Sequence, residues 1–263
     1  MLILNLITSK NNEKIKETAK LFCSSKMRSQ NGLFVIEGIR LCYDAYLSNA
    51  KIKSVFITEK CLNKSKIEAN KIIESADTSY IVTEEIIKHI SDTVTPQGIV
   101  CVCEQSENQP VLKENVKIAV LVDVQDPANI GTISRTAEAF GIDMLIVNGG
   151  CDVYNPKALR ASMGALFRLP VLSFNEVELF DFISCNKIKT FASTPRNSAK
   201  KITDVDFNGK CAMFIGNEAN GLSDEIIKKC DEMVTIPMLG RAESLNAAAA
   251  ASVLMFEMVR GSL

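Results

Sequence analysis

The feature that most restricts this chain is the regular alternation, after residue 116, of short apolar runs with segments of helical periodicity. Lys117–Val124 (KIAVLVDV), Met144–Val147, Lys189–Ala192, Cys211–Ile215 and Met233–Ile236 read as buried strands. Asn129–Phe140, Pro156–Leu166, a short helix centred on Phe180–Ser184, Ser223–Cys230 and the closing Asn246–Arg260 read as helices. Strands that alternate with helices predict a mostly parallel sheet covered on both faces. Ligands of such sheets bind in the loops at the carboxyl ends of the strands. Polar and glycine-rich residues concentrate in those loops here.

The first half alternates less regularly. Asn11–Ser24 carries Ile15, Thr18, Ala19 and Phe22 at helical spacing, and Gly38–Leu47, Ser65–Ala76 and Glu84–Ile90 also read as helical. Leu33–Ile36, Lys53–Thr58, Ser79–Val82 and, after the turn signal Thr95-Pro96-Gln97-Gly98, Ile99–Cys103 read as strands. The expectation is a smaller α/β domain over residues 1–105, of ordinary domain size. The polar stretch Glu104–Glu114, with Pro110, supplies a linker at 106–115 ahead of a second domain at 116–263.

Composition removes several classes of function. At 263 residues and 47% apolar content the chain can build two cores. It contains no run of 18 apolar residues, so no membrane span is expected. The apolar patch Leu2–Ile7 precedes the charges of the amino-terminal region, the reverse of a secretory signal, which points to a cytoplasmic protein. Nine cysteines form an odd set with no CxxC pair and a single CxC, Cys101 and Cys103. Neither a disulfide framework nor a zinc site has that spacing, so reduced thiols and no metal are expected. The one histidine, His89, reads as structural. The net charge is −1; residues 1–105 hold 14 basic against 12 acidic side chains, and residues 106–263 hold 16 against 19. Contacts with nucleic acid must therefore come from local patches, more readily on the first half.

Three loops of the second half could carry chemistry. In Val124–Gly131 (VQDPANIG), Asn129 reads as the N-cap of a helix packed through Ile130, Ile133, Ala137 and Phe140, with Arg135 off that stripe. Taken alone, this segment is better explained by a capped helix with a solvated arginine. In Phe214–Leu222 (FIGNEANGL), Gly216 admits either a close ligand or a turn with positive φ, although Asn and Gly are ordinary turn residues too. The loop lacks the lysine and glycine spacing of a phosphate loop, and no GxGxxG is present. In Ile236–Asn246 (IPMLGRAESLN), Ser244 reads as the cap of an alanine-rich terminal helix.

Taken together and in this order, the loops resemble the three signature motifs of the SpoU (TrmH-like) family of SPOUT RNA methyltransferases: NIGTISRTAEAFG (Asn129–Gly141), FIGNEANGL (Phe214–Leu222) and IPMLGRAESLNAA (Ile236–Ala248). Tyr154-Asn155-Pro156-Lys157 with Arg160–Ala165 agrees as well. Phe34–Gly38 (FVIEG) and Thr95–Gly98 resemble the substrate-binding domain that precedes the catalytic one in longer members.

That resemblance, and not periodicity, implies a trefoil-knotted carboxyl-terminal SPOUT domain, a ribosomal-protein L30e-like domain ahead of it, and a homodimer. It implies S-adenosyl-L-methionine bound among Gly216, Asn217, Ile236, Met238 and Leu245, with Ser193 and Thr194 nearby. Asn129, Arg135, Glu218, Ser244 and Asn246 match the polar residues around the methyl-transfer centre. The implied reaction is methylation of a ribose 2′-hydroxyl of RNA, with 23S ribosomal RNA favoured over transfer RNA. Methylation of a base nitrogen and an inactive RNA-binding or ribosome-assembly factor are the competing readings. Arg135 is implied as the proton acceptor or as a grip on the adjacent phosphate; an arginine stays protonated almost everywhere, which favours the grip. Where relatives continue the third motif with Val-Ser, this chain has Ala247-Ala248.

Overall fold

The computed structural model describes residues 5–110 and 112–261. Val111 of the linker stretch and the start of the apolar patch at Leu2 lie outside the described residues. The chain forms two compact units, one from the described residues of Met1–Glu107 with Tyr154–Phe167, the other from Asn108–Val153 with the described residues of Arg168–Leu263.

The first unit is built from β1 (Asn5–Ile7), α1 (Glu13–Cys23), α2 (Ser25–Asn31), β2 (Leu33–Glu37), α3 (Ile39–Leu47), β3 (Ile52–Ile57), α4 (Glu59–Lys64), α5 (Lys66–Ser75), β4 (Thr78–Val82), α6 (Glu84–His89) and β5 (Ile99–Glu104). Its sheet runs β1-β4-β3-β5-β2 and is mixed. β5 is antiparallel to both β3 and β2, while β1–β4 and β3–β4 are parallel. Asn12 caps α1, and Ile15, Thr18 and Leu21 turn inward from it. His89 is exposed at the end of α6.

In the second unit β6 (Lys117–Val122) is buried at every position, the pattern of a strand covered on both faces. It is followed by α7 (Pro127–Ala139) and β7 (Met144–Asn148). After α8 (Pro156–Ser162), which belongs to the first unit, come β8 (Val171–Ser173), α9 (Glu176–Cys185), β9 (Lys189–Ser193), β10 (Lys200–Lys201), β11 (Cys211–Ile215), α10 (Asp224–Lys229), β12 (Glu232–Thr235) and α11 (Ala247–Arg260). The strand order is β10-β12-β9-β11-β6-β7-β8, and each pairing is parallel, as the alternation predicts. Ala247, Ala248 and Ala251 of α11 are buried, and Phe256 meets Phe140 at the end of α7 with ring centroids 5.7 Å apart. The short side chains let α11 approach closely where a longer residue would hold it off.

Several expectations are corrected. The first helix of the second unit starts at Pro127, with Asp126 as its cap. A proline at the first helical position loses no hydrogen bond, so the helix starts there and Asn129 is turned inward, 7% exposed. The last helix is capped by Asn246, whose side chain accepts from the amides of Ala248 and Ala249, and not by Ser244. The helix expected over Pro156–Leu166 stops at Ser162, because Met163 (φ 49°) and Gly164 (φ 83°) are left-handed; the chain then makes a 3-10 turn, Ala165–Phe167. The continuous second domain is interrupted too. Tyr154 stacks on Phe34 with centroids 4.8 Å apart, and Arg160 pairs with Glu37 at 3.3 Å and Asp92 at 2.9 Å. Those contacts carry Tyr154–Phe167 into the first unit.

Candidate active site

The strand order sets β12, β9, β11 and β6 side by side and parallel, so their carboxyl ends open onto one edge of the second unit. The segments that leave these strands are the ones singled out in the sequence, and they meet there.

The loop after β11 is tightened by its own backbone. Asn217 and Gly221 exchange amide hydrogen bonds of 3.1 and 2.9 Å, with Gly221 at φ 64°. The Asn217 side chain accepts from the amides of Ala219 (2.8 Å) and Asn220 (3.1 Å) and donates to the Asp123 carbonyl at 2.9 Å. A Cβ on Gly216 would lie 2.3 Å from the carbonyl carbon of Gly221. Gly216 is thus required by the fold of its own loop, and the positive φ belongs to Gly221.

Glu218 then ties the loop to its neighbours. Its carboxylate accepts from the amides of Gln125 (3.1 Å) and Asp126 (3.0 Å) and from the Asn129 side chain at 2.9 Å. Asn129 in turn accepts from the Asn246 side chain at 3.1 Å, and Asn246 caps α11. Burial pushes the Glu218 carboxyl upward, but the hydrogen bonds from Asn129 and from the two backbone amides together outweigh it and hold it below the ordinary glutamate value. One line of side chains therefore locks all three loops together.

Beside this line lies a cavity of about 350 Å³. Ser193, Thr194, Gly216, Asn217, Ile236, Met238 and Leu245 all line it, as do Glu218 and Ser244. Asn129 and Asn246 are not in the lining and reach it through Glu218. Arg135 is not brought there. It is exposed on α7, outside the lining, with no hydrogen bond or ion pair among the described residues. Sequence reasoning missed Arg196, which lines the cavity and pairs with Asp224, whose carboxyl is lowered by that hydrogen bond. It also missed Ala250 and Leu254 of α11, which close one wall. Helical periodicity marks such residues only as core. No cluster of three metal-binding side chains occurs among the described residues, and no helix there is long and apolar enough to cross a membrane.

The lining suits a small ligand with a flat apolar part and polar edges. Ile215, Leu222 and Val234 contribute apolar side chains to the lining, and Thr194, Asn217, Glu218 and Ser244 contribute polar ones.

Comparisons with known proteins agree with this geometry. Residues 117–256 match the SpoU rRNA Methylase family, and residues 12–101 match the MRM3-like substrate binding domain. The chain is 31% identical to the 23S rRNA (guanosine(2553)-2'-O)-methyltransferase RlmP of Bacillus subtilis, covering 96% of this chain and 98% of that one. It is 30% identical to the 23S rRNA (uridine(2479)-2'-O)-methyltransferase of Streptomyces viridochromogenes, covering 97% and 91%. Among solved structures it resembles the SpoU methyltransferase AviRb of Streptomyces viridochromogenes in complex with the cofactor AdoMet, with a TM-score of 0.87 and 27% identity over 96% and 98% of the two chains.

Proposed function

Because the chain belongs to the SpoU rRNA methylase family, we propose that it transfers a methyl group from S-adenosylmethionine to a ribose 2′-hydroxyl of RNA, with 23S ribosomal RNA as the favoured substrate. The observation that carries this reading is the Glu218–Asn129–Asn246 line, which holds three sequence-distant loops around one ligand-sized cavity.

The cavity fits the cofactor. Its volume lies within the range of small-molecule sites, and its lining combines apolar residues such as Ile215, Leu222 and Val234 with polar ones such as Thr194, Asn217 and Ser244, a mixture that suits an adenine ring with polar edges. Gly216, Asn217, Ile236, Met238 and Leu245, with Ser193 and Thr194, are the residues that would hold it. When bound, S-adenosylmethionine supplies a methyl group already activated by its sulfonium.

What remains for the protein is to place the hydroxyl, favour loss of its proton and keep the partners aligned. Glu218 and Asn129 fix the loops that shape the site, and Ser244 offers a hydroxyl at the cavity wall. Arg135, always charged, grips the RNA phosphate next to the reacting ribose and steadies charge that develops there.

Arg135 stands outside the lining of the cavity on its own chain. That position supports a homodimer in which a second copy completes the site. Family membership further supports the trefoil knot in the second unit and an RNA-binding role for the first. A ribosomal RNA substrate supports a cytoplasmic location.

The test is incubation of the pure protein with methyl-labelled S-adenosylmethionine and unmodified 23S ribosomal RNA, followed by digestion to nucleosides. Label on 2′-O-methylnucleosides is expected. Label on bases would replace the ribose assignment, and an absence of label would leave a binding factor.

A further inference from the structure

The first unit contains a second cavity, of about 290 Å³, that the methyl-transfer reading does not use. It lies where the ends of three strands meet. Because β5 runs antiparallel between β2 and β3, its start at Gly98–Ile99 falls beside the ends of both. The two first-half motifs of the sequence, Phe34–Gly38 and Thr95–Gly98, are thereby joined: the Ile39 amide donates to the Gln97 side-chain oxygen at 3.1 Å, and the Thr58 amide donates to the Gly98 carbonyl at 2.9 Å.

The walls are closely built. Gly98 has φ +89°, and a Cβ there would meet the Thr58 hydroxyl at 2.6 Å and the Cys61 Cβ at 3.0 Å. Gly38 has φ +91°, and its Cβ would meet the Gln97 side-chain oxygen at 3.2 Å. Ile39, Cys61 and Pro96 make the lining partly apolar. Burial pushes the Cys61 thiol up to about 11, so at neutral pH it is an uncharged part of that wall.

Charge is placed on the lining with both signs. Lys60 and Lys64 sit four residues apart on α4, hence on one face, and both are exposed. Neither has an acidic partner among the described residues, whereas Lys10, Lys51 and Lys53 are each paired with a carboxylate. Glu84, also exposed and without a cationic partner among the described residues, lines the cavity with them. The Gln97 amide nitrogen has no hydrogen bond among the described residues.

We propose that this cavity receives one unpaired ribonucleotide of the RNA substrate, its base within the apolar walls and its flanking phosphates on Lys60 and Lys64. The chemistry matches part by part. A base offers apolar faces for Ile39 and Pro96, N–H groups for Glu84 and an acceptor for the Gln97 amide. Two unpaired cations at helical spacing suit a backbone that carries a phosphate on each side of the sugar. A simple anion would make no use of Glu84, and a duplex could not place a base in a cavity; sequence-selective RNA recognition works on unstacked bases of this kind. A chain with net charge −1 must also concentrate its RNA contacts in local cationic sites. The inference rests on the RNA reading given above.

The test uses the full chain, a fluorescent single-stranded oligoribonucleotide of mixed sequence and unmodified 23S ribosomal RNA. Lys60→Ala/Lys64→Ala is expected to weaken RNA binding by about tenfold or more and to lower the salt dependence of log Kd by roughly one to two. Affinity for S-adenosylmethionine, by calorimetry, should stay within about twofold, since that cavity is built from other elements. Lys16→Ala/Lys20→Ala, an exposed pair of equal spacing on α1, should change RNA binding by less than about threefold. Equal losses from the two pairs, or none from the first, would overturn the site. If the wild-type protein methylates RNA and the Lys60/Lys64 variant matches it in affinity, this site alone fails. A wild-type protein that binds the cofactor but neither binds nor methylates RNA would remove the functional reading and the site with it.

Discussion

The two units place their cavities by related geometry and furnish them differently. In the second unit four adjacent parallel strands end together, so the loops that follow them must converge. In the first, an antiparallel strand starts where two others end, and three short connections meet instead. The second cavity satisfies its own charges: the Glu218 carboxylate accepts three hydrogen bonds, from the amides of Gln125 and Asp126 and the Asn129 side chain, and Arg196 is paired with Asp224. The first leaves Lys60, Lys64 and Glu84 unpaired among the described residues. Internally satisfied walls suit a small molecule, whereas free cations suit a polyanion. The difference separates cofactor binding from RNA binding, and each can be disturbed without the other.

The largest effect should come from Gly216→Ala. Its Cβ would collide with the backbone of Gly221, which cannot move aside as a flexible side chain could. A destabilisation of about 3 kcal/mol is expected in urea melts, with loss of S-adenosylmethionine binding and retention of oligoribonucleotide binding by the first unit. Normal cofactor affinity in this variant would show that the loop is looser than its contacts imply.

Arg135→Ala should follow, lowering methyl transfer by about 100-fold while S-adenosylmethionine affinity remains within about twofold, because Arg135 lies outside the cavity lining. Arg135→Lys refines the point through a pH–rate profile. A phosphate grip predicts a reduced rate with the basic limb unmoved; near-full rate with that limb shifted to lower pH assigns proton abstraction to this residue.

Arg160→Ala tests the first unit. It removes a partner from Glu37, whose side chain is 7% exposed, and leaves that carboxylate the Ser91 hydroxyl. A loss of about 1–2 kcal/mol of stability is expected, with hydrogen exchange rising in β2 and α8 and cofactor affinity unchanged. Faster exchange confined to β6 and β11 would contradict the placement of Tyr154–Phe167 in the first unit.

The smallest effect is that of Glu218→Gln on the pH dependence of stability. A carboxyl whose folded value lies below its unfolded value stabilises fully above the unfolded value, and that contribution fades as pH falls through the folded one. The wild type should therefore exceed the variant in urea midpoint at neutral pH, and the gap should close in acid below the ordinary glutamate range. A gap independent of pH would mean that the ionised form is not what the amides of Gln125 and Asp126 hold.

Much of the architecture is legible in residue order. The apolar run Lys117–Val122 admits little but a strand covered on both faces, and the parallel sheet follows from its alternation with helices. Seven residues assigned to the cofactor from their motifs all line one cavity. Boundaries were less legible, for local reasons. Asn129 and Ser244 are good capping types, but Pro127 and Asn246 stand at positions where the helices can start, and one helix has one cap. Short elements such as α2, α4, β1, β8 and β10 escaped notice because so few residues carry no clear period.

Sequence alone determined which chemistry was within reach: the lack of metal-ligand spacing, the lone histidine, and the polar residues gathered after the strands. It determined these because periodicity and residue type act over a few neighbours. Only the tertiary structure decided that Glu218, Asn129 and Asn246 form one line, that Tyr154–Phe167 leaves its flanking segments for the first unit, and that Lys60 and Gln97 face the same cavity. Those outcomes depend on strand order and on contacts between residues far apart in the chain, which no local pattern encodes.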